Sequence, residues 1–312
     1  MKRGEGQLEN KGDFETRSGF VAITGRPNVG KSTLLNTILG RKVAIVSPRP
    51  QTTRNRIVGV KTAGDVQVVF LDTPGIHRHR HLINRYMVEV AIRAVAGVEM
   101  VLFLVEARGM RGEDHEALER ILARVPRERL IVVVNKVDTA SEGELRQTRK
   151  SLAPLLPGEQ VEEVSALTGA GVPALVERIL DAMPPGPFYY PPESVTDQPT
   201  PFMIAELIRE KVFMLTREEV PYSVAVVVDE VYERKRDLWV VTAKIFVARE
   251  SQKGILVGKG GSLVKRIGQQ ARQELEALLG VRLFLDLRVK VKRDWMNRKD
   301  LLARMGYDFK QL

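Results

Sequence analysis

The segment GRPNVGKST, from Gly25 to Thr33, constrains this chain more than any other segment. It follows the apolar run FVAIT, precedes an amphipathic stretch, and fits the pattern G-x-x-x-x-G-K-[ST]. Glycines at this spacing let successive N–H groups face phosphate oxygens, and the N-terminus of the following helix adds positive potential. The pattern therefore predicts a phosphate-binding loop between a strand and a helix. The predicted phosphate-binding residues are Gly25, Arg26, Pro27, Asn28, Val29, Gly30, Lys31, Ser32 and Thr33.

A second motif, DTPG, ends the apolar run VQVVFLD and spans Asp72 to Gly75. Alone it would be an ordinary turn, but its distance after a phosphate loop favours a segment that senses the nucleotide. The Asp72 carboxylate can hold Mg²⁺ through water, and the Gly75 N–H can face the terminal phosphate. In the first motif, Lys31 should reach the terminal phosphates and Ser32 should bind the metal. The predicted second switch consists of Asp72, Thr73, Pro74, Gly75 and Ile76.

The polar stretch SPRPQTTRNR, residues 47–56, lies between these motifs. A threonine hydroxyl here could complete the Mg²⁺ shell only while the terminal phosphate is bound, which is how a nucleotide switch works. We choose Thr53 as this ligand, with Thr52 as the alternative. The predicted metal ligands are Ser32, Thr53 and, through water, Asp72. The predicted first switch consists of Gln51, Thr52, Thr53 and Arg54.

Two further motifs point to guanine as the base. NKVD, Asn135 to Asp138, follows the run LIVVV, and VSA ends at Ala166. The Asp138 carboxylate can accept hydrogen bonds from the ring N–H and the amine of guanine, which adenine does not offer as a pair. VSA can present a backbone N–H to the guanine carbonyl, although this motif is weak alone. The predicted guanine-binding residues are Asn135, Lys136, Asp138, Ser165 and Ala166.

Apolar strand-like runs alternate with amphipathic stretches from about residue 20 to residue 183. This alternation predicts an α/β domain of the P-loop NTPase type, with a mostly parallel sheet and helices on both faces. Ligands of such sheets bind at the carboxyl ends of the strands, where these motifs lie. The predicted helices of this part cover residues 31–39, 82–96, 114–125, 142–155 and 172–182.

A proline-rich stretch divides the chain. Residues 184–201 cannot sustain a helix or a central strand, so we predict a semi-rigid linker. We expect a flexible extension at residues 1–18, which has no apolar core typical of a secretory signal, and a nucleotide-binding domain at residues 19–183. Residues 202–312 are predicted to form a smaller domain in the order helix, strand, strand, helix, strand.

Charge and composition narrow the partners and the compartment. Residues 200–312 carry 22 Lys and Arg against 15 Asp and Glu, which favours a polyanion, either nucleic acid or an anionic membrane, over a merely solubilising surface. No apolar stretch is long enough to span a bilayer. The chain has no cysteine, which excludes disulfides and thiolate metal sites and fits a reducing cytoplasm.

The tetrapeptide GKGG, residues 258–261, stands before a predicted helix at residues 263–279. Its glycines would allow close approach of a nucleic-acid backbone, while Lys259 adds positive charge and the N-terminus of the helix adds its dipole. The alternative is that the glycines simply make a tight turn. Basic residues nearby, Arg293 among them, favour nucleic acid. The predicted RNA-binding residues are Gly258, Lys259, Gly260, Gly261, Lys253, Lys265, Arg266, Arg288, Lys290 and Lys292.

Together these motifs identify a family. From about residue 20 onward the chain resembles the Era-like GTPases, bacterial proteins associated with the ribosome. The resemblance rests on GRPNVGKSTLLN, VSPRPQTTR, DTPGIH, NKVD, VSA, TREEVPYS, ESQKGILVGKGGSLVKRIG and LRVKVKRDW.

The resemblance implies more than the residues alone do. The second domain would be an α+β type II KH domain with GKGG as its GxxG loop. The ligands would be GTP and GDP with Mg²⁺, and the RNA would be the 3′ end of 16S ribosomal RNA. The role would be assembly or maturation of the 30S subunit. We expect a cytoplasmic monomer, and the family also associates with the inner face of the membrane.

Ile76 follows DTPG, where Ras-type GTPases carry a water-orienting glutamine, and Era-like GTPases carry a hydrophobic residue. We therefore predict slow intrinsic hydrolysis that RNA or the ribosome accelerates. Asn28 matches the asparagine with which related GTPases hold K⁺, so K⁺ is a second candidate cation.

Two other functions compete with a GTPase that binds ribosomal RNA. One is a membrane-associated regulatory GTPase linked to cell-cycle control, which the absence of a long amphipathic helix disfavours. The other is an RNA-binding module whose nucleotide site is only structural, which the intact Lys31, Ser32, Thr53 and Asp72 disfavour. The run HRHRH, residues 77–81, is expected to be a mobile loop rather than a metal site, because no carboxylate or thiolate accompanies the histidines.

Overall fold

A six-stranded sheet forms the centre of the first part of the chain. The structure is a computed structural model that describes residues 15–76, 81–156 and 160–311. The strand order is β2-β3-β1-β4-β5-β6, and β2 pairs antiparallel with β3 while the other pairs are parallel. The strands are β1 (Arg17–Gly25), β2 (Ile57–Ala63), β3 (Val66–Asp72), β4 (Met100–Glu106), β5 (Leu130–Asn135) and β6 (Val161–Val164).

Helices cover both faces of this sheet, as the alternating pattern predicts. Ala22 belongs to one buried cluster, and its neighbours Val21 and Ile23 belong to the other, because successive strand residues point to opposite faces. The first cluster packs against α2, α3 and α4, and the second against α1 and α5. The helices are α1 (Lys31–Leu39), α2 (Leu82–Ala94), α3 (Gly112–Leu122), α4 (Glu142–Leu152) and α5 (Val172–Asp181).

The strand order reverses at β1, which lies between β3 and β4. Open α/β sheets leave a crevice at such a point, outside the carboxyl ends of the strands. The phosphate loop follows β1, DTPG begins at the last residue of β3, and NKVD begins at the last residue of β5. The topology therefore brings the three motifs to one edge of the sheet.

The proline-rich segment lies along the outer edge of β2. The Val60 N–H donates to the Val195 carbonyl at 2.8 Å, and the Thr196 hydroxyl donates to the Val58 carbonyl at 2.6 Å. The segment thus pairs with backbone groups that an edge strand would otherwise expose. The predicted semi-rigid linker is therefore hydrogen-bonded to the first sheet at these residues.

The second part of the chain is a three-stranded sheet of order β7-β8-β9, with β7 antiparallel and β9 parallel to β8. Helices α6 and α8 pack on one face around a third buried cluster. This mixed sheet with helices on one face is an α+β arrangement, as expected. The elements are α6 (Thr200–Leu215), β7 (Ala225–Lys235), β8 (Leu238–Val247), α7 (Glu250–Val257), α8 (Ser262–Leu279), β9 (Arg282–Val291) and α9 (Lys299–Arg304).

The predicted element order of this part was wrong in two places. Helix α7 was missed because Gly254 interrupts it and its apolar residues are consecutive, which hides a helical period. Helix α9 has only six residues, too few to show a period. The predicted boundaries at residues 18 and 201 also fall inside β1 and α6.

The end of the chain joins the two parts. Trp295 is fully buried, and its indole N–H donates to the Ser223 carbonyl at 3.1 Å. Trp295, Leu302 and Tyr307 share a buried cluster with Ile83 and Met87 of α2. Among the described residues, no helix combines the length and apolarity needed to cross a bilayer.

Candidate nucleotide-binding site

A cavity of about 460 Å³ opens at the carboxyl edge of the first sheet. This volume lies within the range of small-molecule sites. Its walls come from the phosphate loop, from the segment between α1 and β2, and from the loops after β5 and β6. The lining residues are Pro27, Asn28, Gly30, Lys31, Ser32, Thr33, Ile45, Val46, Ser47, Pro48, Gln51, Thr52, Thr53, Gly75, Asn135, Lys136, Asp138, Thr139, Ala166 and Leu167.

The phosphate loop has a backbone that only glycine permits at two points. Gly25 has φ 138°, and a Cβ there would lie 2.5 Å from the Leu104 carbonyl oxygen. Gly30 has φ 102°, and a Cβ there would lie 2.1 Å from Nδ2 of Asn135. Helix α1 begins directly afterwards, so its first N–H groups face the cavity. This is the concave, electropositive backbone that phosphate binding requires.

Lys31 lies across the loop. Its Nζ donates to the carbonyls of Gly25 at 3.2 Å and Arg26 at 2.9 Å. Burial lowers the pKa of Lys31 to about 8, although the Asp72 carboxylate opposes the shift. A nearby anion stabilises the protonated form of an amine whose pKa is lowered by burial. A nucleotide phosphate bound in the cavity would be such an anion.

Two predicted phosphate-binding residues have side chains that face elsewhere. The Arg26 guanidinium is buried against Asp114, at 3.1 Å, and Glu106, at 3.3 Å. The Val29 side chain lies in the core between the sheet, α1 and α5. Both residues can contribute only backbone groups, because their side chains fix the loop to the domain beneath it.

Ser32, Thr53 and Asp72 meet at the inner end of the cavity. The Ser32 hydroxyl donates to Oδ2 of Asp72 at 2.6 Å. The Thr53 hydroxyl lies 2.8 Å from the Ser32 hydroxyl. The Thr53 hydroxyl is 3.5 Å from the same carboxylate oxygen. The Thr52 hydroxyl instead contacts Ser47 and the Arg49 carbonyl. This geometry favours Thr53 over Thr52 as a metal ligand.

The donor set fits Mg²⁺. The other oxygen of Asp72, Oδ1, is buried and has no hydrogen-bond partner among the described residues. Two hydroxyls and a carboxylate are the hard oxygen ligands that this ion prefers. Burial raises the pKa of Asp72 to about 6, against the opposing effect of Lys31. A divalent cation would therefore relieve the cost of keeping this carboxylate charged.

The opposite end of the cavity is built around Asn135. Its amide donates to the Val29 carbonyl at 2.8 Å, and its oxygen accepts the Ala166 N–H at 2.8 Å. Lys136 has φ 67°, so its side chain folds back and its Nζ donates to the Asn28 carbonyl at 2.7 Å. Glu106 also contacts this amine. Asn135 and Lys136 therefore tie the base end to the phosphate loop.

Asp138 lines the cavity and makes no hydrogen bond or ion pair among the described residues, so its carboxylate is free to accept from a ligand. The expectation that VSA offers a free N–H to guanine needs correction at Ala166, whose N–H is already donated to Asn135. Ser165 is buried, and its hydroxyl accepts the Thr168 N–H at 3.2 Å. Sequence reasoning missed Leu167, which is 80% exposed at the cavity rim and offers an apolar surface to a purine ring.

The second predicted switch is described as far as Ile76. The Thr73 hydroxyl donates to the Ile23 carbonyl at 2.9 Å, away from the cavity, whereas Gly75 lies against Pro27 at the cavity wall. Ile76 is 3% exposed and packs in the core over α2 and α3. Its side chain has no polar atom and does not line the cavity, so it cannot orient an attacking water.

The histidine run lies mostly outside the described residues, which omit residues 77–80. His81 is described, and its Nδ1 lies 3.2 Å from Oδ1 of Asn297. No group of three or more histidines, aspartates and glutamates in the described part of the chain could hold a metal.

The GKGG loop joins α7 to α8 at the surface of the second part. Gly258, Gly260 and Gly261 have φ of 71°, 60° and 79°, so three of the four positions need left-handed backbone. Lys259 and Gly260 are exposed. Since α8 begins at Ser262, the loop presents a helix N-terminus and a cation to solvent.

The predicted basic residues lie on α7, near the start of α8 and at the end of β9. Lys265 and Arg266 are exposed near the start of α8. A short turn connects α8 to β9, so β9 runs back along α8 and brings Lys290 and Lys292 toward the loop end. Lys253 lies 4.0 Å from Glu250, and Arg288 pairs with Asp286 at 2.7 Å. Those carboxylates weaken the attraction of Lys253 and Arg288 for an anion.

Comparison with protein families matches residues 20–136 to the 50S ribosome-binding GTPase family and residues 219–296 to the KH domain family. GTPase Era of Geotalea daltonii is 48% identical over 291 residues, covering 93% of this chain and 98% of the relative. GTPase Era of Thermotoga maritima is 47% identical over 283 residues, covering 90% and 94%.

Two solved structures are similar over nearly the whole chain. One is an Aquifex aeolicus Era variant bound to GDP·AlF4⁻, with TM-score 0.88 and 39% identity, covering 94% of this chain and all of that one. The other is Era in complex with MgGDPNP and nucleotides 1506–1542 of 16S ribosomal RNA, with TM-score 0.88, 39% identity and coverage of 95% and 100%. The similarity includes both sheets and both loops, so this chain belongs to the GTPase Era family.

Proposed function

We propose that this chain is a GTP-hydrolysing switch that binds the 3′ end of 16S ribosomal RNA and acts in assembly of the 30S subunit. The observation that carries the proposal is the meeting of Ser32, Thr53 and Asp72 at one end of a cavity whose other end holds Asp138. A purely structural nucleotide site would not need a switch threonine at the metal position. The GKGG surface in the same chain supplies the RNA-binding part.

The residues divide the work on the nucleotide. The phosphate loop binds phosphate oxygens through backbone N–H groups, and Lys31 adds positive charge at the terminal phosphates. Ser32 and Thr53 would hold Mg²⁺ directly, with Asp72 acting through water. When bound, the ion neutralises charge that develops on the phosphates. Asp138 selects guanine by accepting from its ring N–H and amine, while Asn135 keeps that loop in register with the phosphate loop.

Hydrolysis without a partner is slow in this proposal, because the buried, apolar side chain of Ile76 cannot orient the attacking water. The Asn28 side-chain amide donates to the Pro48 carbonyl at 2.9 Å, which links the phosphate loop to the first switch segment. This hydrogen bond fixes the orientation of the Asn28 amide and therefore of its oxygen. This contact supports a role for Asn28 in holding K⁺ beside the phosphates. Equal hydrolysis rates in K⁺ and in Na⁺ would remove that part of the proposal.

The RNA ligand is assigned from the second part of the chain. The solved relative with 16S ribosomal RNA nucleotides supports the RNA class. The exposed Gly260 of GKGG allows the backbone approach that KH domains use. We assign nucleotide binding to the part of the chain that begins with β1, at Arg17, and RNA binding to the part that begins with α6, at Thr200. A cytoplasmic location, a monomeric state and peripheral membrane contact stay predictions.

Cross-linking the full-length protein to RNA in its own cells tests the proposal. The expected product is a cross-linked fragment from the 3′ end of 16S ribosomal RNA. The matched control is the double variant Lys259→Asp with Gly260→Asp, which should lose that fragment while the protein remains folded. Recovery of other RNAs, or of the same fragment with the double variant, would contradict the assignment.

A further inference from the structure

The segment between α1 and β2, residues 41–56, has two opposed sides. One side faces the nucleotide cavity, where Thr53 meets Ser32 and Asp72. The other side packs against the second part of the chain. The segment therefore separates the nucleotide cavity from the second part of the chain. Because protein interiors are closely packed, a shift of the segment at the cavity must be accompanied by a shift at its contacts with the second part.

Arg54 connects the segment directly to the second part of the chain. It is 1% exposed, and its guanidinium donates to three backbone carbonyls of the turn before β7. The distances are 2.6 Å to Val224, 3.1 Å to Tyr222 and 3.3 Å to Pro221. Thr53, the predicted metal ligand, is the adjacent residue in the chain. The planar fork of arginine fits this set of acceptors, which a lysine could not span.

The face of Phe213 on α6 supports the same contact. The guanidinium carbons of Arg54 and Arg209 lie 5.9 Å and 5.3 Å from its ring centre. Arg209 also donates to the Thr52 carbonyl, one residue before Thr53. The switch threonine is therefore flanked on both sides by contacts to the second part.

The beginning of the segment is fixed in a similar way. The Ile45 side chain belongs to the buried cluster of the second part, although the residue lies in the nucleotide-binding part. The Val46 N–H donates to Oε1 of Glu210 on α6 at 2.9 Å. Lys42 pairs with Glu210 at 2.6 Å and also contacts Glu274 on α8, the helix that follows GKGG. Contacts at both ends leave the segment little freedom to move independently of α6 and α8.

We propose that Arg54 is a positioning residue: it holds Thr53 at the metal position when the turn at residues 221–224 is seated against it. Seating of the second part and binding of the terminal phosphate then stabilise each other through Thr53. Because coupling between two binding sites is reciprocal, GTP should tighten RNA binding by the same factor by which RNA tightens GTP binding. The inference rests on the proposed function and adds the residue through which the two sites communicate.

The test measures affinities of the full-length protein for a non-hydrolysable GTP analogue and for GDP. Each is measured with and without an RNA oligonucleotide from the 3′ end of its own 16S ribosomal RNA. In the unmodified protein we expect RNA to tighten the analogue roughly 5- to 150-fold, the usual range of coupling, and GDP much less. Arg54→Ala should reduce this factor below about 2 and lower the ratio of analogue to GDP affinity.

Arg56→Ala is the matched control, because it removes an exposed arginine two residues along the same segment. It should keep the coupling factor of the unmodified protein. Arg54→Lys retains the charge but not the fork, so its coupling factor should be intermediate. If Arg54→Ala loses its cooperative melting transition, Arg54→Lys takes its place in the test. A merely structural role for Arg54 would lower the melting temperature without changing the ratio of the two nucleotide affinities.

Three outcomes would overturn the inference. Arg54→Ala could retain both the coupling factor and the analogue-to-GDP ratio of the unmodified protein. The unmodified protein could bind both ligands without coupling, in which case the proposed function stands and only the role of Arg54 fails. The unmodified protein could instead fail to bind the analogue or the RNA, which would remove the proposed function and this inference with it.

Discussion

The nucleotide cavity and the GKGG surface are both built on a glycine loop that precedes a helix, yet they differ in how they are supported. Around the first loop, Lys31, Asp72 and Asn135 are buried, and each is held by named contacts. Around the second, Lys259 and most of the basic residues are exposed. One site is organised before its ligand arrives, whereas the other offers charge and an open backbone.

This difference determines what a single substitution can do. In a buried site each polar group has one geometric role, and its loss leaves other buried groups unpaired. On an exposed cationic surface many weak contacts share the binding free energy, and salt screens each of them. We therefore expect large, ligand-specific effects in the cavity and graded, salt-dependent effects on the GKGG surface.

Replacement of Lys31 should have the largest effect. Lys31→Ala removes the cation at the terminal phosphates, so GTP hydrolysis should fall by about 10³-fold, the scale of losing one preorganised donor. Steady-state phosphate release measures the loss, and RNA binding without nucleotide should change little. Lys150→Ala, an exposed lysine on α4, is the control that should hydrolyse normally.

The base end of the cavity should show a change of specificity. Asp138→Asn replaces an acceptor with a donor toward the ring, so preference should move from guanine to xanthine nucleotides by about 10²-fold. Competition between GDP and XDP for the variant measures this shift. Unchanged selectivity would exclude Asp138 from reading the base.

Burial at the metal position predicts a pH effect on the ligand-free protein. The pKa of Asp72 is raised to about 6, so its stabilising contribution is present in the protonated form and lost as the pH rises through 6. Above that pH the buried carboxylate costs on the order of 3 kcal/mol of unfolding free energy. In chelator-containing buffer, Asp72→Asn should therefore stabilise the protein at pH 8 and have little effect at pH 4, while Mg²⁺-dependent GTP binding weakens. Equal effects at the two pH values would contradict the assignment.

The GKGG loop should respond to charge rather than to shape alone. Lys259→Asp with Gly260→Asp places two carboxylates where a phosphate backbone approaches, so RNA affinity should fall roughly 10- to 100-fold. Filter binding of the 16S fragment measures the loss. Nucleotide affinity measured without RNA should stay within about twofold, because the loop does not line the cavity. An equal loss of both ligands would indicate unfolding instead.

The smallest expected effect comes from replacing single basic residues of the GKGG surface. Lys290→Ala should weaken RNA binding by a few fold and reduce the slope of log affinity against log salt by about 1. Arg288→Ala should do less, because Arg288 is already paired with Asp286 at 2.7 Å. The opposite ranking of these two variants would mean that the ion pair breaks when RNA binds.

The motifs that line the cavity could be recognised in the sequence because they are short, occur in a fixed order and follow strand ends. Ser32 lies in the first turn of α1, and Asp72 and Asn135 are the last residues of β3 and β5, so the topology alone brings them to one edge of the sheet. Within that site, the engagement of the Ala166 N–H by Asn135 and the inward direction of Arg26 could not be predicted. Both depend on residues more than 30 positions away.

Contacts between the two parts of the chain could not be predicted from sequence patterns. Ile45 is buried among residues of the second core, and Arg54 donates to Val224, which lies 170 residues further along the chain. The proline-rich segment predicts extended backbone, but its attachment to β2 depends on which edge of the sheet is free. The sequence of helix α7 shows no helical period of apolar residues. The helix is stabilised by packing against α8 and β9, which a sequence pattern does not reveal.

Phosphate release from GTP, measured with and without the 3′ fragment of 16S ribosomal RNA, tests most directly the claim that one chain couples both sites. We expect slow release by the protein alone, a clear acceleration by the RNA, and no acceleration when Lys259 and Gly260 are both replaced by Asp. Absence of phosphate release under every condition, or a rate that RNA leaves unchanged, would contradict the account.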